Sequence, residues 1–260
     1  MSDARSTPTR RPIRSGEPLA IAPGYAHSLG AEMWWDLGPA VPENVTEGTV
    51  TTVYLRGVMD HHEGFGDSYD ALVKRWGEAC NGGGRTLALR IDSPGGVVSG
   101  LSECVEELSV CAREAGCKTV AYVDGMATSA AFALACSCQE IVCPRSAILG
   151  SIGVISTMTS YAEANAQNGV QVVTITSGEC KADGHPDSPI TDAALARERA
   201  RVETFASQFF RLAGRARGLD PEDLRAYQAG LFVGSDAVRA GLADAIMSWR
   251  ELVAILTDAR

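Results

Sequence analysis

The sequence lacks two features that would each place it in a large functional class at once. Lys and Arg number 23 against 32 Asp and Glu, so the formal net charge is -9 at pH 7 and there is no basic excess. Because neutralising a phosphate backbone requires clustered Lys and Arg, we expect no nucleic acid partner. No window reaches the roughly 18 uninterrupted apolar residues of a membrane span, so we expect no membrane partner. The composition predicts an acidic, soluble, cytoplasmic protein.

Metal-binding patterns are also scarce. The eight cysteines include no CxxC pair, and a chain of 260 residues can fold without disulfides, so we expect reduced thiols. Cys136 and Cys138 form a CxC pair near Cys143 without a nearby histidine, which indicates small buried side chains rather than a zinc site. His61 and His62 favour an exposed pair, with a metal pair as the alternative. We therefore predict no metal.

The first 48 residues differ in composition from the rest. Residues 1–16 are basic, rich in Pro, Ser and Thr and poor in apolar residues, which predicts a disordered tail. Gly and Pro interrupt residues 15–25, so no apolar run follows and we do not expect a signal peptide. Residues 17–48 contain Trp34 and Trp35 without clear periodicity. We interpret them as an arm packed on the core or on a neighbouring subunit.

Residues 49–260 alternate short β-branched runs with amphipathic stretches, which is typical of an α/β domain with largely parallel strands. Residues 97–115 and 191–217 carry apolar side chains at three- and four-residue spacing, so both are predicted to be long helices. Thr191 is the predicted cap of the second. Shorter helices are expected at 221–228, after Gly234 and at 248–256, the last after a short LADAI strand or turn. The predicted strands are residues 49–55, 86–91, 119–123, 140–143, 151–156 and 170–175.

Three glycine-rich turns stand at the ends of predicted strands, where open α/β sheets place their sites. In the first, DSPGG at residues 92–96, Gly95 and Gly96 offer backbone N–H groups that can hold an oxyanion, although the pattern also occurs as an ordinary turn. The second, GMATSAAF at residues 125–132, places Ser129 near the start of a predicted helix. There Ser129 is either a nucleophile or, like Thr128, a simple helix cap.

The third turn, SGECKADGHP at residues 177–186, contains Lys181. A single lysine in a polar loop is normally a solvated charge, and it becomes a general base only where its surroundings favour the neutral amine. Glu179 and Asp183 favour the ammonium if they lie close, so the Lys181 amine must point away from them. We interpret His185 as a structural residue of this loop.

The order and spacing of these segments resemble the signal peptide peptidase A family of serine peptidases over about residues 50–256. The matching segments are IDSPGG, VDGMATSAAFALA, ILGSIGV, TSGECKADGHPDSPI and LFVGSDAVRAGLADAI. The serine followed by two alanines, the K-x-D-G-x-P loop and the upstream PLAIAPGYA are most similar to the phage branch of prohead and minor capsid proteases. The resemblance implies a Clp protease/crotonase-like α/β fold, a spiral of β-β-α units.

The resemblance also implies a role for each motif. Ser129 is expected to be the nucleophile and Lys181 the general base, within one subunit or between adjacent subunits. Gly95, Gly96 and the Ala130 N–H are expected to hold the oxyanion. The family implies a homo-oligomeric ring that hydrolyses protein or peptide substrates and needs no cofactor.

Substrate is expected to add as an extra strand along Ser151, Ile152 and Gly153, the segment that matches the family's groove. No histidine lies about 25 residues after Ser129, as it does in Clp-type subunits, so lysine replaces the usual base. Membrane-bound members usually carry glycines after the serine and an N-terminal membrane segment. This sequence shows neither, which argues against signal-peptide clearance.

Two alternatives stay open at this point. A crotonase-like acyl-CoA enzyme would use the same paired glycine amides to stabilise a thioester enolate, but it would need a carboxylate in the cleft and neither Ser129 nor Lys181. A non-catalytic capsid assembly or scaffolding protein would use the domain as a structural ring. Covalent labelling of Ser129 by a serine-reactive probe separates this last alternative from a peptidase.

Overall fold

A computed structural model describes residues 19–21, 41–62, 67–83 and 85–258 of the chain. The predicted tail, residues 1–16, lies outside the described residues, as does most of the predicted arm, residues 17–48. Two short pieces of that arm are described, residues 19–21 and 41–48, and each contains one strand. Each pairs with a strand of the main domain.

The larger of two sheets has eight strands and is formed around long parallel strands. Its main path is β11-β10-β8-β6-β3-β2, and β9 pairs with both β8 and β12. The bounds are β2 Val45–Glu47, β3 Val50–Arg56, β6 Thr86–Ser93, β8 Lys118–Thr128, β9 Glu140–Cys143, β10 Ile148–Gly150, β11 Leu231–Val233 and β12 Ala245–Ile246. Strands β3, β6, β8, β9 and β10 run parallel to their neighbours among these, whereas β2 and β11 are antiparallel edges.

The central strands are buried because both faces of the sheet are covered. Along β6, Leu87 and Leu89 pack into the larger core, whereas Ala88 between them packs into a smaller core on the other face. This period of two is what a pleated strand requires. The strands predicted at 49–55, 86–91, 119–123 and 140–143 are therefore confirmed, and the α/β class with them.

The second sheet has four short strands in the order β1-β7-β4-β5. Their bounds are β1 Leu19–Ile21, β4 Met59–Asp60, β5 Asp67–Ser68 and β7 Gly95–Val97. Strand β7 follows β6 directly after Pro94, so residues 86–97 contribute one strand to each sheet. The sequence contained no apolar run long enough to predict any of these four strands.

Eight α-helices are described. Their bounds are α1 Tyr69–Asn81, α2 Leu101–Glu114, α3 Ala130–Ala135, α4 Ala162–Gln167, α5 Asp192–Arg217, α6 Pro221–Ala226, α7 Ser235–Arg239 and α8 Trp249–Asp258. Thr191 caps α5 as predicted, because its side chain accepts a hydrogen bond from the Ala194 N–H. Helix α1 was not predicted. It joins the core through Trp76, whose indole N–H donates to the Leu108 carbonyl of α2 at 2.9 Å.

Two predicted boundaries were wrong in the structure. The helix predicted from residue 97 begins only at Leu101, because residues 95–97 form a strand and Gly100 turns the chain with a φ of 82°. The strand predicted at 151–156 is displaced to Ile148–Gly150. It ends there because Gly150 and Ser151 both have positive φ, 113° and 51°, which breaks the extended conformation.

The strand predicted at residues 170–175 is absent from the structure. These residues belong to neither sheet of the described chain, and their apolar side chains are exposed, Val173 by 70% and Ile175 by 92%. The β-branched composition matches a strand, but a strand forms only where a neighbour takes its backbone hydrogen bonds.

The structure contains no disulfide bond between its eight cysteines. Burial raises the pKa of Cys136 and of Cys138 to about 12 and that of Cys143 to about 11. These three thiols stay protonated at neutral pH and act as small core side chains, which agrees with the interpretation of the CxC pair.

Candidate active site

Ser129 lies at a sharp turn between the end of β8 and the start of α3. Its φ of 56° and ψ of -123° are unfavourable for any residue with a Cβ atom, so the surrounding fold must impose them. The Ser129 N–H donates to the Gly150 carbonyl at 2.8 Å, which holds the turn against β10. The turn therefore fixes Ser129 in one orientation.

The Ser129 hydroxyl does not act as a helix cap. It makes no capping hydrogen bond with α3 and instead donates to the Gly153 carbonyl, with an Oγ to O distance of 3.4 Å. This bond is long, so the hydroxyl is held only weakly. Thr128 does not cap the helix either, because its buried hydroxyl has no hydrogen-bond partner among the described residues.

The predicted groove segment lies directly against Ser129. Ser151 and Ile152 are buried, and the Ser151 N–H donates to the Gly230 carbonyl at 2.8 Å. Gly153 accepts the Ser129 hydroxyl, so the structure brings two of the predicted site segments together.

The predicted oxyanion donors approach from the other side of Ser129. Ser93, the last residue of β6, is the register partner of Ala127 on β8, so the glycines after Ser93 lie beside the Ser129 turn. Strand β7, which starts at Gly95, packs against α3. The Gly95 N–H already donates to the Ser93 hydroxyl at 3.2 Å. By contrast, helix geometry leaves the first N–H of α3, that of Ala130, without an acceptor inside the helix.

Lys181 lies on a one-turn 3-10 helix, Glu179–Ala182, and is exposed to solvent. Its side chain makes no hydrogen bond or ion pair with any residue in the described ranges, and no such bond joins it to Ser129. Within one chain, therefore, no described hydrogen bond or ion pair links Lys181 to the other predicted site residues.

The loop around Lys181 is ordered by its neighbours. Arg197 of α5 donates two hydrogen bonds to the Asp183 carboxylate, at 2.6 and 3.0 Å, and lowers the pKa of that carboxyl. Asp183 is thereby directed at Arg197 rather than at Lys181. The His185 Nδ1 accepts from the Asp187 N–H at 3.2 Å, which agrees with a structural role for His185.

Comparison with known proteins assigns the chain to a family. The family model described as "Peptidase family S49" matches residues 111–260, which is more than half of the chain. The chain belongs to peptidase family S49. The predicted resemblance to this peptidase family and its phage branch is confirmed, because "Protease 4" of Haemophilus influenzae and a phage capsid assembly protease are among the S49 chain's relatives.

Two phage proteins are among the relatives of this S49 chain. "Capsid assembly protease C" of Escherichia phage lambda is 29% identical over 174 residues, which cover 66% of this chain and 39% of the relative. "Head-tail preconnector protein GP5" of Enterobacteria phage P21 is 29% identical over 246 residues, which cover 92% of this chain and 48% of the relative. The chain thus spans about half or less of the length of these relatives.

The fold of the S49 chain is that of the Clp proteases, as predicted. The structure of the ClpP1 N165D mutant from Listeria monocytogenes superposes with a TM-score of 0.50 at 12% identity, covering 76% of this chain and 92% of the ClpP1 chain. At this identity the likeness concerns the fold alone. Within the described residues, no helix is both long and apolar enough to cross a membrane.

One cluster outside the Ser129 region has metal-ligand chemistry. Ligand atoms of His61, His62 and Asp70 all lie within 4.8 Å of one another, on the exposed surface where β4 leads toward α1. The cluster has internal partners, because the His62 Nδ1 contacts the Asp70 carboxylate at 2.6 Å and the His61 Nδ1 contacts the Ser99 hydroxyl at 3.0 Å. The two rings are stacked, as an exposed pair can be.

Proposed function

We propose that this chain is a serine endopeptidase in which Ser129 is the nucleophile and Lys181 the general base. The observation that carries the proposal is the backbone of Ser129. In an S49 chain, a buried serine is held in a strained turn, with a hydroxyl that caps no helix and faces the predicted groove segment. Strain of this kind costs about 1–3 kcal/mol and persists mainly where function requires a fixed geometry.

The proposed reaction gives each of these groups one role. A neutral Lys181 amine takes the Ser129 proton while Oγ attacks the peptide carbonyl, and the Ala130 and Gly96 N–H groups hold the resulting oxyanion. The Gly95 N–H can also donate to the oxyanion if it gives up its hydrogen bond to the Ser93 hydroxyl. The lysine ammonium then protonates the leaving amine, and water hydrolyses the acyl-enzyme by the same route. Each step uses groups of the protein and water alone.

We further propose that Lys181 meets the Ser129 of a neighbouring copy in a homo-oligomeric ring. Two observations support this arrangement: Lys181 has no side-chain partner in its own described chain, and it follows an exposed apolar segment at 170–175. Such a segment on a monomer is typical of a surface that a partner covers. The names of the two phage relatives make a capsid or head protein the substrate we propose to test first.

No described contact favours the acyl-CoA alternative, whereas a non-catalytic ring would share the fold and the exposed segment.

The test incubates wild type, Ser129→Ala and Lys181→Ala with casein and with candidate capsid proteins, and compares fragments by mass spectrometry. The chain has three lysines, so Lys74→Ala and Lys118→Ala are matched controls, because both residues are exposed. We expect cleavage by wild type and by both controls only. Cleavage by the Ser129→Ala variant at the wild-type rate would disprove the proposal.

A mixing experiment tests where the base comes from. Ser129→Ala and Lys181→Ala chains are unfolded together and refolded as mixed rings. If serine and lysine meet across an interface, about a quarter of the sites in a random mixture regain both groups. If both groups come from one chain, the mixture stays as inactive as its components. A serine-reactive fluorophosphonate that labels Ser129 in wild type excludes the purely structural ring.

A further inference from the structure

Strand β7 has two edges, and both are occupied in the described chain. Along one edge β4 pairs so closely that a Cβ atom at Gly96 would lie 2.0 Å from the Met59 carbonyl oxygen. Along the other edge lies β1, in an antiparallel register. A peptide can therefore add to β7 only at the edge that β1 already holds.

The position of β7 makes it one wall of the candidate site. It follows β6 directly, and the register of Ser93 with Ala127 places the start of β7 beside the Ser129 turn. It also packs on α3, the helix that begins immediately after Ser129. Gly95 is therefore at the end of β7 nearest the nucleophile.

Strand β1 runs toward the nucleophile. In the antiparallel register Leu19 lies opposite Val97 and Ile21 lies opposite Gly95, so the chain of β1 advances to the end of β7 beside Ser129. A substrate that adds to β7 as an antiparallel strand runs the same way, with the acyl side of its scissile bond along β7. Strand β1 has the position and the polarity of that half of a substrate.

We propose that Leu19–Ile21 is a built-in pseudosubstrate strand, which occupies the peptide-binding edge of β7 and must leave before a protein substrate binds. The inference rests on the proposed peptidase function and names what its groove recognises. Glycines at two of the three β7 positions offer main-chain groups and no side chains, so the groove takes extended segments through backbone pairing. The Leu-Ala-Ile sequence of β1 indicates that these segments are apolar.

Competition within one chain has a kinetic signature. A covalently attached strand acts at an effective concentration that dilution does not lower. The apparent affinity for substrate is the intrinsic affinity multiplied by the fraction of molecules in which the edge is free. Saturating substrate displaces the strand, so release of β1 lowers KM and leaves kcat unchanged. A strand that only supports the fold would change stability and kcat instead.

The test variant is the full chain with Ala20→Pro and Ile21→Pro. Successive residues of a strand point their N–H groups to opposite edges, so one of the two prolines removes an N–H that faces β7. The matched control is Val45→Pro with Thr46→Pro in β2, which is also a three-residue antiparallel edge strand but lies in the other sheet. Circular dichroism and thermal unfolding verify that each variant is folded.

Two readouts separate this inference from the proposed function. A quenched fluorescent peptide taken from the casein cleavage products gives KM and kcat. In a Ser129→Ala background, fluorescence anisotropy with a fluorescein-labelled Pro-Leu-Ala-Ile-Ala peptide gives a Kd that needs no catalysis. We expect the β1 variant to lower both KM and Kd at least about tenfold with kcat unchanged, and the β2 variant to match wild type.

Each outcome decides the inference. Unchanged KM and Kd, or a loss of kcat in a folded β1 variant, overturns it, because β1 would then be a structural strand. Cleavage of wild type within residues 19–22 also overturns it, since β1 would then be a substrate. If wild type shows no peptidase activity but the β1 variant binds the peptide more tightly, β1 is upheld as the occupant of a peptide-binding edge. Only the peptidase proposal then fails.

Discussion

At the scale of single residues, the backbone conformation of Ser129 carries a stability cost. Its φ of 56° and ψ of -123° suit glycine, so a side chain there is retained at the expense of strain. The strain of about 1–3 kcal/mol is larger than the roughly 0.5–1 kcal/mol of extra chain entropy that a glycine loses on folding. The balance therefore favours glycine for stability, which agrees with the proposal that serine is retained here for its hydroxyl.

We predict that Ser129→Gly raises the free energy of unfolding by about 1 kcal/mol over wild type and abolishes proteolysis. Ser129→Ala keeps the Cβ atom and therefore the strain, so it should be inactive with a stability close to that of wild type. Urea unfolding followed by circular dichroism measures both differences. A Ser129→Gly variant less stable than Ser129→Ala would show that the turn is not strained.

The Asp244 carboxylate links the last part of the chain to the large sheet through hydrogen bonds. Partial burial alone raises the pKa of Asp244, but two hydrogen bonds from Arg217 at 2.7 and 2.9 Å and one from the Ile141 N–H at 2.7 Å outweigh it. The net result is a pKa below the usual value. A carboxyl whose pKa is lowered on folding stabilises the fold above its unfolded pKa, and this contribution disappears as pH falls through the folded value.

We predict that Asp244→Asn lowers the free energy of unfolding at pH 7 by about 1–2 kcal/mol, a range that allows for the partial exposure of the carboxylate. The difference from wild type should shrink steadily below about pH 4. Urea denaturation at pH 7, 5 and 3 checks this. The exposed Glu114→Gln is the control, with an expected change within about 0.5 kcal/mol. Equal losses at pH 7 and pH 3 would contradict an ionic origin.

At the scale of elements, an added side chain is expected to have opposite effects on stability at two glycines. Gly96 lies where β7 meets β4, and a Cβ atom there would overlap the Met59 carbonyl group. Gly77 lies inside α1, where a Cβ atom would meet nothing within 4 Å. Contact with rigid backbone cannot be relieved by rotating a side chain, whereas open space in a helix favours alanine.

We predict that Gly96→Ala lowers the free energy of unfolding by about 2–3 kcal/mol, because β4 and β7 must separate. Gly77→Ala should raise it by about 0.5–1 kcal/mol through helix propensity. Thermal unfolding by calorimetry measures both. Gly96→Ala should also lose proteolysis in the folded fraction, because the displaced β7 carries the proposed oxyanion donors. Retention of wild-type stability by Gly96→Ala would show that β4 and β7 do not pair this closely.

At the scale of the whole molecule, the exposed apolar segment at 170–175 is the surface through which we propose that copies associate. Val173 and Ile175 are among the most exposed large apolar side chains of the described residues. Leu231 and Val233 on the edge strand β11 add apolar surface, and an unpaired strand edge is itself a site for association. A single copy leaves this surface in water at an unfavourable free energy.

We predict that Val173→Asp combined with Ile175→Asp converts oligomers to monomers and lowers proteolysis at least about tenfold, because charges placed in an apolar interface are desolvated without a partner. Light scattering coupled to gel filtration gives the mass, and casein hydrolysis gives the activity. Ile255→Asp on α8 is the matched control, since Ile255 is also an exposed apolar residue but lies in another element. Wild-type mass and activity in the double variant would show that this surface is not the interface.

The sequence by itself determined the elements whose signals are local. The β-branched runs of β3, β6, β8 and β9 and the cap and apolar spacing of α5 predicted those elements, because burial and hydrogen bonding within a short segment are encoded there. The spacing of the glycine turns, Ser129 and the Lys181 loop was sufficient to predict the family, which the comparison confirmed. Such motifs are recognisable in the sequence because few residue types can adopt their backbone conformations.

Only the tertiary structure decided where the remaining segments pair. The sequence of residues 170–175 is that of a strand, yet the described chain offers no neighbour for it, and the three residues of β1 gave no signal until β7 provided an edge. Strand pairing depends on contacts between residues far apart in the chain, which local composition does not contain. For the same reason, the contact between the Ser129 hydroxyl and the Gly153 carbonyl, 24 residues apart in the chain, is decided only by the fold.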